Sequence, residues 1–245
     1  MKRAVIIGQS HTVCMADALS HVSNPHQFEI HRLRNGDKKN DPSALSTEQA
    51  LDIVRRLDEM TPVFLSFPGG YHCVIGLVKS NPDYDFVFDE VEGVVQDVWM
   101  VPQRVIASTF DYHLETEQLV RKVKQAAAGP VYILAFPPPK QDNEFMLKHL
   151  LARWNKPYRG QDIAACGLSR PQLRRKLWLL ECGRVRIWAE KLDVGFVPAP
   201  VACFNGNGFL DSTYFANDAT HANVEYGKLV LEQVASVVDG RQGSL

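Results

Sequence analysis

Short apolar runs alternate along the chain with longer stretches of helical periodicity. Five runs rich in β-branched and aromatic residues predict strands: Arg3–Ile7, Phe28–Leu33, Val63–Phe67, Val131–Ala135 and Gly195–Val197. The segments between and after them predict helices, at Cys14–Val22, after Ser46, at 113–128, after Pro171 and at Asn223–Val238. The chain is therefore predicted to be built from strand and helix in turn.

Local signals fix where some of these helices begin and end. Ser46 is followed three residues later by Gln49, which is the pattern of a capping box. Asp111 is predicted to cap the helix over 113–128, and Gly129 is predicted to end it. Residues 79–104 show the least regular pattern and are expected to contain an ordered loop.

Strands that alternate with helices are typical of a mainly parallel sheet with helices on both faces. The predicted fold class is therefore α/β, a three-layer α/β/α arrangement around a five-stranded sheet, in one domain that spans residues 1–245. Ligands of such folds bind at the carboxyl ends of the strands, so residues that follow the predicted strands are the first candidates for a site.

Composition and charge narrow the class of protein. Lys plus Arg number 27 and Asp plus Glu number 28 in 245 residues, for a formal net charge of -1. This balance argues against binding to nucleic acid or to an anionic membrane surface. No stretch approaches the roughly 18 apolar residues of a membrane span, and the first apolar run is too short for a signal peptide, so a cytoplasmic location is expected.

The cysteines and acidic residues give no sign of a metal or a disulfide framework. The five cysteines are scattered and form no C-x-x-C pair: Cys14, Cys73, Cys166, Cys182 and Cys203. The acids between Asp83 and Asp89 have no His or Cys at ligand spacing, so no metal and no other cofactor is expected.

Ser10 directly follows the first predicted strand, in the sequence Gly8-Gln9-Ser10-His11. A serine between a strand and a helix is well placed to act as a nucleophile, and its own N–H lies near the helix N-terminus, where it can stabilise an oxyanion. The alternative is that Ser10 is the N-cap of that helix.

Asp218 and His221 stand three residues apart on the turn that enters the last predicted helix. A carboxylate can orient an imidazole so that it takes the proton of a serine. The alternative is a capping aspartate beside a surface histidine. Because an α/β sheet brings the ends of its strands to one edge, Ser10, Asp218 and His221 are predicted to meet there.

These two blocks resemble the SGNH or GDSL-like hydrolases, which are three-layer α/β/α serine esterases, acetylesterases and lipases. Gly8-Gln9-Ser10-His11 resembles the block that holds the nucleophile, and Asp218-Ala219-Thr220-His221 resembles the block that supplies acid and base. Further stretches are similar to a bacterial branch of that family with an Asp-Ala-Thr-His-Ala-Asn block: Pro68–His72, Gly76-Leu77, Phe136–Pro139 and Asp218–Asn223 with Tyr226-Gly227.

The resemblance also implies an oxyanion hole made by Ser10, Gly36 and Gly70. In the family a glycine after the second strand donates its N–H, and Gly36 corresponds to it. An asparagine after the third strand usually donates its side-chain amide, but Pro68–His72 contains none, and Gly70 stands in its place. The N–H of Gly70 or Tyr71, or the side chain of His72, is expected to replace that donor.

Four further residues near these blocks are expected to line the substrate site. They are His11, Tyr71, His72 and Pro138. For His11 a structural hydrogen bond is the alternative, and for His72 packing of its loop is the alternative. Cys14 and Cys73 are interpreted as small apolar residues rather than nucleophiles, because neither has an obvious base. The basic run Arg170–Lys176 predicts a solvated helix face.

Three functions are compatible with these observations. The first is hydrolysis of a small-molecule or carbohydrate ester with a small acyl group, such as acetyl, through a Ser10 acyl-enzyme. The second is recognition of a glycan or a partner with little or no catalysis, which the missing asparagine favours. The third is transfer of the acyl group to another alcohol by the same three residues.

Overall fold

The computed structural model describes residues 2–22, 26–34, 43–67, 69–91, 93–153 and 162–240. Its strands are β1 (Arg3–Gly8), β2 (Gln27–Arg32), β3 (Val63–Ser66), β4 (Tyr84–Asp85), β5 (Trp99–Met100), β6 (Val131–Leu134) and β7 (Gly195–Val197). Its helices are α1 (Thr12–Leu19), α2 (Thr47–Arg55), α3 (Tyr71–Gly76), α4 (Gln103–Glu115), α5 (Gln118–Ala126), α6 (Asn143–Arg153), α7 (Ile163–Cys166), α8 (Pro171–Lys191) and α9 (Val224–Val238).

Five strands form one parallel sheet in the order β2-β1-β3-β6-β7, with helices packed around it. The pair β4 and β5 is separate. Strand β1, which lies between β2 and β3, has no exposed side chain between Ala4 and Ile7, as expected of a parallel strand that is covered on both faces. The predicted α/β class and all five predicted strands of the sheet are confirmed.

The capping box at the start of α2 is also confirmed. The Ser46 hydroxyl accepts from the backbone N–H of Gln49 at 3.2 Å, and the Gln49 side chain accepts from the N–H of Ser46 at 2.8 Å. Both donors are among those that a helix N-terminus leaves without a partner inside the helix.

The single helix predicted over 113–128 is wrong. Two helices, α4 and α5, occupy this region, and α4 begins ten residues earlier, after Pro102. Asp111 lies inside α4 rather than at its N-cap, and its carboxylate binds the Arg184 guanidinium through two contacts of 2.7 Å. A charged partner on another helix thus determines the role of Asp111, and the local sequence does not contain that partner.

The solvated helix face predicted for Arg170–Lys176 is wrong as well. Arg174 is 3% exposed and Lys176 is fully buried. The Lys176 ammonium lies 3.0 Å from a carboxylate oxygen of Asp85 and donates to the carbonyls of Phe86 and Gly93. Buried charges need partners of this kind, because leaving one without them costs several kcal/mol.

Helices α1 and α9 pack closely, and this contact sets the position of the chain before each of them. At Gly227 of α9, a Cβ atom would lie 2.1 Å from the carbonyl oxygen of Cys14 in α1. Only a residue without a side chain permits that distance. Ser10 precedes α1 and His221 precedes α9, so the close pair brings both to one edge of the sheet.

None of the helices in the described ranges combines the length and apolar character that crossing a bilayer requires.

Candidate active site

A cavity of about 210 Å³ lies at the carboxyl ends of β1, β3 and β6. Its wall includes six of the residues predicted to form the site: Ser10, His11, Gly70, His72, Pro138 and His221. Ser10 and His221 also line an adjoining, more open cavity of about 610 Å³, to which Asp218 contributes. The block that holds Ser10 and the block that holds Asp218 and His221 are therefore brought together, and they form part of the wall between the two cavities.

Ser10 is not the N-cap of α1, so that alternative is wrong. The N-cap is His11, and it makes no side-chain capping bond. The first N–H groups of the helix, those of Thr12 and Val13, donate to the carbonyls of Gln9 and Ser10 at 3.1 and 3.3 Å. The Ser10 side chain is exposed at the cavity wall and is not used to hold the helix end.

Asp218 and His221 form a hydrogen-bonded pair. The distance from Nδ1 of His221 to Oδ2 of Asp218 is 2.8 Å. The other carboxylate oxygen, Oδ1, accepts the backbone N–H groups of Thr220 at 2.9 Å and of His221 at 2.7 Å. One carboxylate therefore closes the turn and binds the imidazole. The alternative of a capping aspartate is wrong for the helix itself, because the N-cap of α9 is Asn223.

The electrostatics of this pair favour a charged Asp218. Burial by itself would raise the pKa of the carboxyl, but the hydrogen bonds and charge of His221 and the N–H of Thr220 outweigh it and hold the pKa well below its usual range. A charged Asp218 takes the Nδ1 proton of His221 as its hydrogen bond, which leaves Nε2 of the imidazole as the basic nitrogen.

Lys140 supports the turn from the interior of the protein. It is 1% exposed, and its ammonium donates to the carbonyls of Ala216 at 2.7 Å and of Asp218 at 2.5 Å. The same nitrogen lies 4.0 Å from Oδ1 of Asp218. The rings of Phe145 and Phe215 lie about 5 Å from it. Lys140 thus fixes the backbone on which Asp218 is carried.

His11 lies directly against His221, with ring centroids 5.1 Å apart. Burial, and then the neighbouring charges of His221 and His72, lower the pKa of His11 to about 3, although Asp218 acts in the opposite direction. Its Nδ1 has no hydrogen-bond partner among the described residues, so the structural hydrogen bond considered for it is not found at that atom. His11 is therefore a neutral residue of the cavity wall and lies next to His221, the predicted base.

The predicted oxyanion donors have different outcomes. Gly36 lies outside the described residues. Gly70 lines the cavity in a left-handed conformation, φ 82°, at the N-cap of α3. The N–H groups of Tyr71 and His72 both donate to the Glu181 carboxylate at 2.9 Å, so the expectation that Tyr71 supplies the missing donor is wrong.

Tyr71 was also expected to line the substrate site, and the structure places it elsewhere. Its ring stacks on His113 at 4.3 Å and meets Phe110 edge to face at 6.5 Å. These are residues of α4, and Tyr71 is absent from the cavity wall that the described residues form. The apolar surface of α4 therefore takes the tyrosine ring away from the cavity.

A second group of chemically active side chains lies at this cavity, and the sequence did not predict it. The distance from Nδ1 of His72 to Oε2 of Glu181 is 2.7 Å, and Nε2 of the same ring is 3.2 Å from Sγ of Cys73. The interpretation that Cys73 has no base nearby is wrong. Only the adjacency of His72 and Cys73 was visible in the sequence, because Glu181 comes from α8, more than a hundred residues later.

The described residues contain no group of three or more His, Cys, Asp or Glu side chains arranged to hold a metal ion.

Comparison with solved structures finds similar chains at low sequence identity. A GDSL-like lipase from Bacteroides thetaiotaomicron is 12% identical, over 98% of this chain and 89% of that one, with a TM-score of 0.46. The fold resembles that of the SGNH and GDSL-like hydrolases. A carbohydrate acetylesterase from Sinorhizobium meliloti is 13% identical, over 98% of this chain and all of that one, at a TM-score of 0.44.

The periplasmic domain of a lipopolysaccharide acetyltransferase from Salmonella ser. Paratyphi A is 13% identical, over 98% of this chain and 84% of that one, at a TM-score of 0.47. No family model and no curated protein matches the sequence. At these identities the similarity concerns the fold, and the chemistry has to be argued from the residues of this chain.

Proposed function

We propose that the protein hydrolyses an ester of a small acyl group by way of an acyl-enzyme on Ser10. His221 takes the serine proton at Nε2 as Ser10 attacks the carbonyl carbon, and then gives it to the leaving alcohol. Asp218 holds the Nδ1 proton and stabilises the imidazolium. A water molecule, deprotonated by His221, then attacks the acyl-enzyme and releases the acid.

The observation that carries this proposal is the 2.8 Å bond between His221 and Asp218 in a wall shared with Ser10. The Ser10 hydroxyl makes no hydrogen bond within the described part of the chain, to His221 included. Bonds between a nucleophile and its base often close only when substrate is bound, so the arrangement fits an enzyme without substrate. The N–H groups of Ser10 and Gly70 are the donors we assign to the oxyanion.

The two cavities suggest how an ester would lie across Ser10. The smaller and less open cavity, of about 210 Å³, suits a short acyl chain, whereas the more open cavity of about 610 Å³ suits a bulkier alcohol such as a sugar. We therefore assign the acyl group to the first and the alcohol to the second.

The test is hydrolysis of nitrophenyl acetate, butyrate and octanoate by the native chain and by Ser10→Ala. We expect acetate and butyrate to be cleaved faster than octanoate. In Ser10→Ala the rate should fall by about 10³-fold or more, since loss of the nucleophile of such a triad removes most of the acceleration. Ser20→Ala, at the far end of α1, is the matched control and should keep the native rate.

Equal rates for the native chain and Ser10→Ala would contradict the proposal. If both are inactive on all three esters while circular dichroism shows them folded, a binding function without catalysis becomes the better explanation.

Acyl transfer is the second candidate, and the open cavity beside Ser10 favours it because an acceptor alcohol could occupy that space. Addition of an alcohol or a monosaccharide during turnover separates the two. Transfer predicts an acylated acceptor in amounts beyond its molar ratio to water, whereas hydrolysis predicts free acid alone.

A further inference from the structure

Cys73, His72 and Glu181 form a chain of hydrogen-bonding groups that the proposed ester hydrolysis does not use. His72 is 5% exposed and Glu181 is 1% exposed, whereas Cys73 is partly exposed and lines the cavity. The Glu181 side chain accepts the backbone N–H groups of Tyr71 and His72, and it lies 2.7 Å from Nδ1 of His72. It therefore keeps the His72 proton on Nδ1 and directs Nε2 to the sulfur.

This is the order nucleophile, base, carboxylate, with a thiol in the place of a hydroxyl. The nucleophilic form of cysteine is the thiolate, and an adjacent imidazole stabilises it by taking the proton. Burial acts to lower the pKa of His72, but the charge and hydrogen bond of Cys73, and then those of Glu181, raise it to about 10. At 3.2 Å from Sγ, Nε2 of His72 is placed to take the thiol proton and form an imidazolium–thiolate ion pair as Cys73 reacts.

The other charged groups that face this pair come from three further parts of the fold. Arg174 of α8 interacts electrostatically with Cys73, and His11 interacts with His72. Lys140 lines the same cavity. Arg174 and Lys140 thus put two cations at the cavity wall, and His11 is neutral at physiological pH.

Arg174 gives an independent sign that the cavity takes a ligand. It is 3% exposed, and its terminal nitrogens donate to the carbonyls of Ser169 and Lys140 and to the side-chain oxygen of Asn143. Its Nε–H, however, has no acceptor among the described residues. A buried donor without an acceptor is unfavourable, and because Arg174 lines the cavity, a carboxylate bound there would place an anion beside its guanidinium.

We propose that Cys73 is a covalent modification site for small anionic disulfides. The Cys73 thiolate attacks one sulfur of R–S–S–R, the S–S bond of the reagent breaks, and a new S–S bond joins Cys73 to that sulfur. The departing R–S⁻ takes the proton from His72, so one thiol and one disulfide give one thiol and one disulfide without net oxidation. The carboxylate of the bound half would lie in a cavity whose wall includes the cations Lys140 and Arg174.

The adduct occupies the cavity that Ser10 shares. The adduct therefore blocks ester hydrolysis until a reducing thiol removes it. Of the expectations in this subsection, only this inhibition rests on the proposed function.

The chain contains its own references for the experiment. Burial raises the pKa of Cys14 and of Cys203 to about 12 and raises that of Cys182 well above its ordinary value, so these three should react slowly. Cys166, at the end of α7, is partly exposed like Cys73 and serves as the comparison thiol.

The whole native chain is treated with dithiodipropionate, which is anionic, or with cystamine, which is cationic, and each cysteine is followed by peptide mass spectrometry. At pH 6.5 an ordinary thiol is only about 1% thiolate, so we expect Cys73 to react about ten-fold or more faster than Cys166. The ratio of the two rates should be higher for the anionic reagent. A Cys73 rate no higher than that of Cys166, or an equal ratio for both reagents, overturns the proposal.

Two further measurements test the group of Cys73, His72 and Glu181 independently of ester hydrolysis. In Glu181→Gln the rate at Cys73 should fall several-fold at pH 6.5 while that at Cys166 stays unchanged; an unchanged Cys73 rate overturns the role given to Glu181. If that variant does not fold, the pH profile of the native chain decides, because a Cys73 rate that rises in parallel with that of Cys166 excludes the ion pair.

Nitrophenyl acetate hydrolysis is then measured before and after treatment. We expect dithiodipropionate to stop it, dithiothreitol to restore it, and Cys73→Ser to keep its own untreated rate. If the native chain shows no esterase activity, the proposed function is wrong. The mass spectrometry of the cysteines still decides whether Cys73 is the modification site.

Discussion

At the scale of single residues, neighbours around one cavity push two histidines to opposite protonation states. Burial and two neighbouring imidazoles lower the pKa of His11 to about 3, whereas Cys73 and Glu181 raise that of His72 to about 10 against the effect of burial. In sequence both are histidines that follow a strand. Their difference comes from burial at His11 and, at His72, from the neighbouring Cys73 together with Glu181 of α8, and residue type alone does not reveal it.

The low pKa of His11 predicts an acid-sensitive fold. An unfolded histidine has a pKa of about 6.5, so between about pH 6.5 and pH 3 the unfolded state binds more protons than the folded state. The free energy of unfolding should therefore fall as the pH falls through this window, by at most about 1.4 kcal/mol per pH unit from this group. Urea unfolding between pH 7 and pH 4 measures it.

His11→Gln should show a shallower decline over that range. The exposed His21, at the end of α1, provides the control, and His21→Gln should follow the native curve. Parallel curves for all three proteins would show that His11 does not contribute to the acid sensitivity.

At the scale of helices and strands, local sequence signals predicted some elements correctly and failed for others. The five strands and the capping box were predicted from β-branched runs and from Ser46 with Gln49, because these signals are local. The region 113–128 was predicted as one helix, but α4 ends at Glu115 and α5 begins at Gln118, with Glu117 as its N-cap. Asp111 lies inside α4, where it binds Arg184 of α8 instead of capping a helix.

The contact of α1 with α9 predicts a strong effect of Gly227→Ala. The added Cβ would meet the Cys14 carbonyl at 2.1 Å, so the helices must separate. We expect a loss of about 1–3 kcal/mol in the free energy of unfolding, the usual cost of overpacking, and a lower rate of ester hydrolysis because Ser10 and His221 move apart. Urea unfolding and nitrophenyl acetate hydrolysis measure the two effects.

Gly183→Ala in α8 is the matched control. A Cβ there meets nothing within 4 Å, and alanine favours a helix over glycine by about 0.5–1 kcal/mol. This variant should be as stable as the native chain or more so. Equal destabilisation by both substitutions would refute the close-approach argument.

At the scale of the whole molecule, two apolar clusters share α8. The larger one surrounds the parallel sheet, and the smaller one includes Phe86, Phe110 and Leu177. Lys176 joins the smaller cluster to the segment after β4 through its bonds to Asp85 and two carbonyls. A buried charge pair thus holds the least regular part of the sequence against the longest helix.

Lys176→Met should destabilise the protein by about 3–5 kcal/mol, because the buried Asp85 loses its nearer cation and keeps Arg170, which lies 3.8 Å from Oδ2. The double variant Lys176→Met with Asp85→Asn removes the stranded charge as well and should recover part of the loss. The free energy of unfolding in urea measures both. If the double variant were less stable than the single one by the full cost of a second substitution, the charge pair would not be the cause.

The sequence by itself determined the α/β class, the strands of the sheet, and the placement of Ser10, Asp218 and His221 after a strand or before a helix, because each follows from hydrophobic period and local turn chemistry. Only the tertiary structure decided that Asp218 both closes its turn and binds His221, that Tyr71 turns away, and that Glu181 reaches His72. Those outcomes depend on contacts between residues far apart in the chain. The free energy of such contacts comes from the burial and the charge interactions that form only when the chain folds.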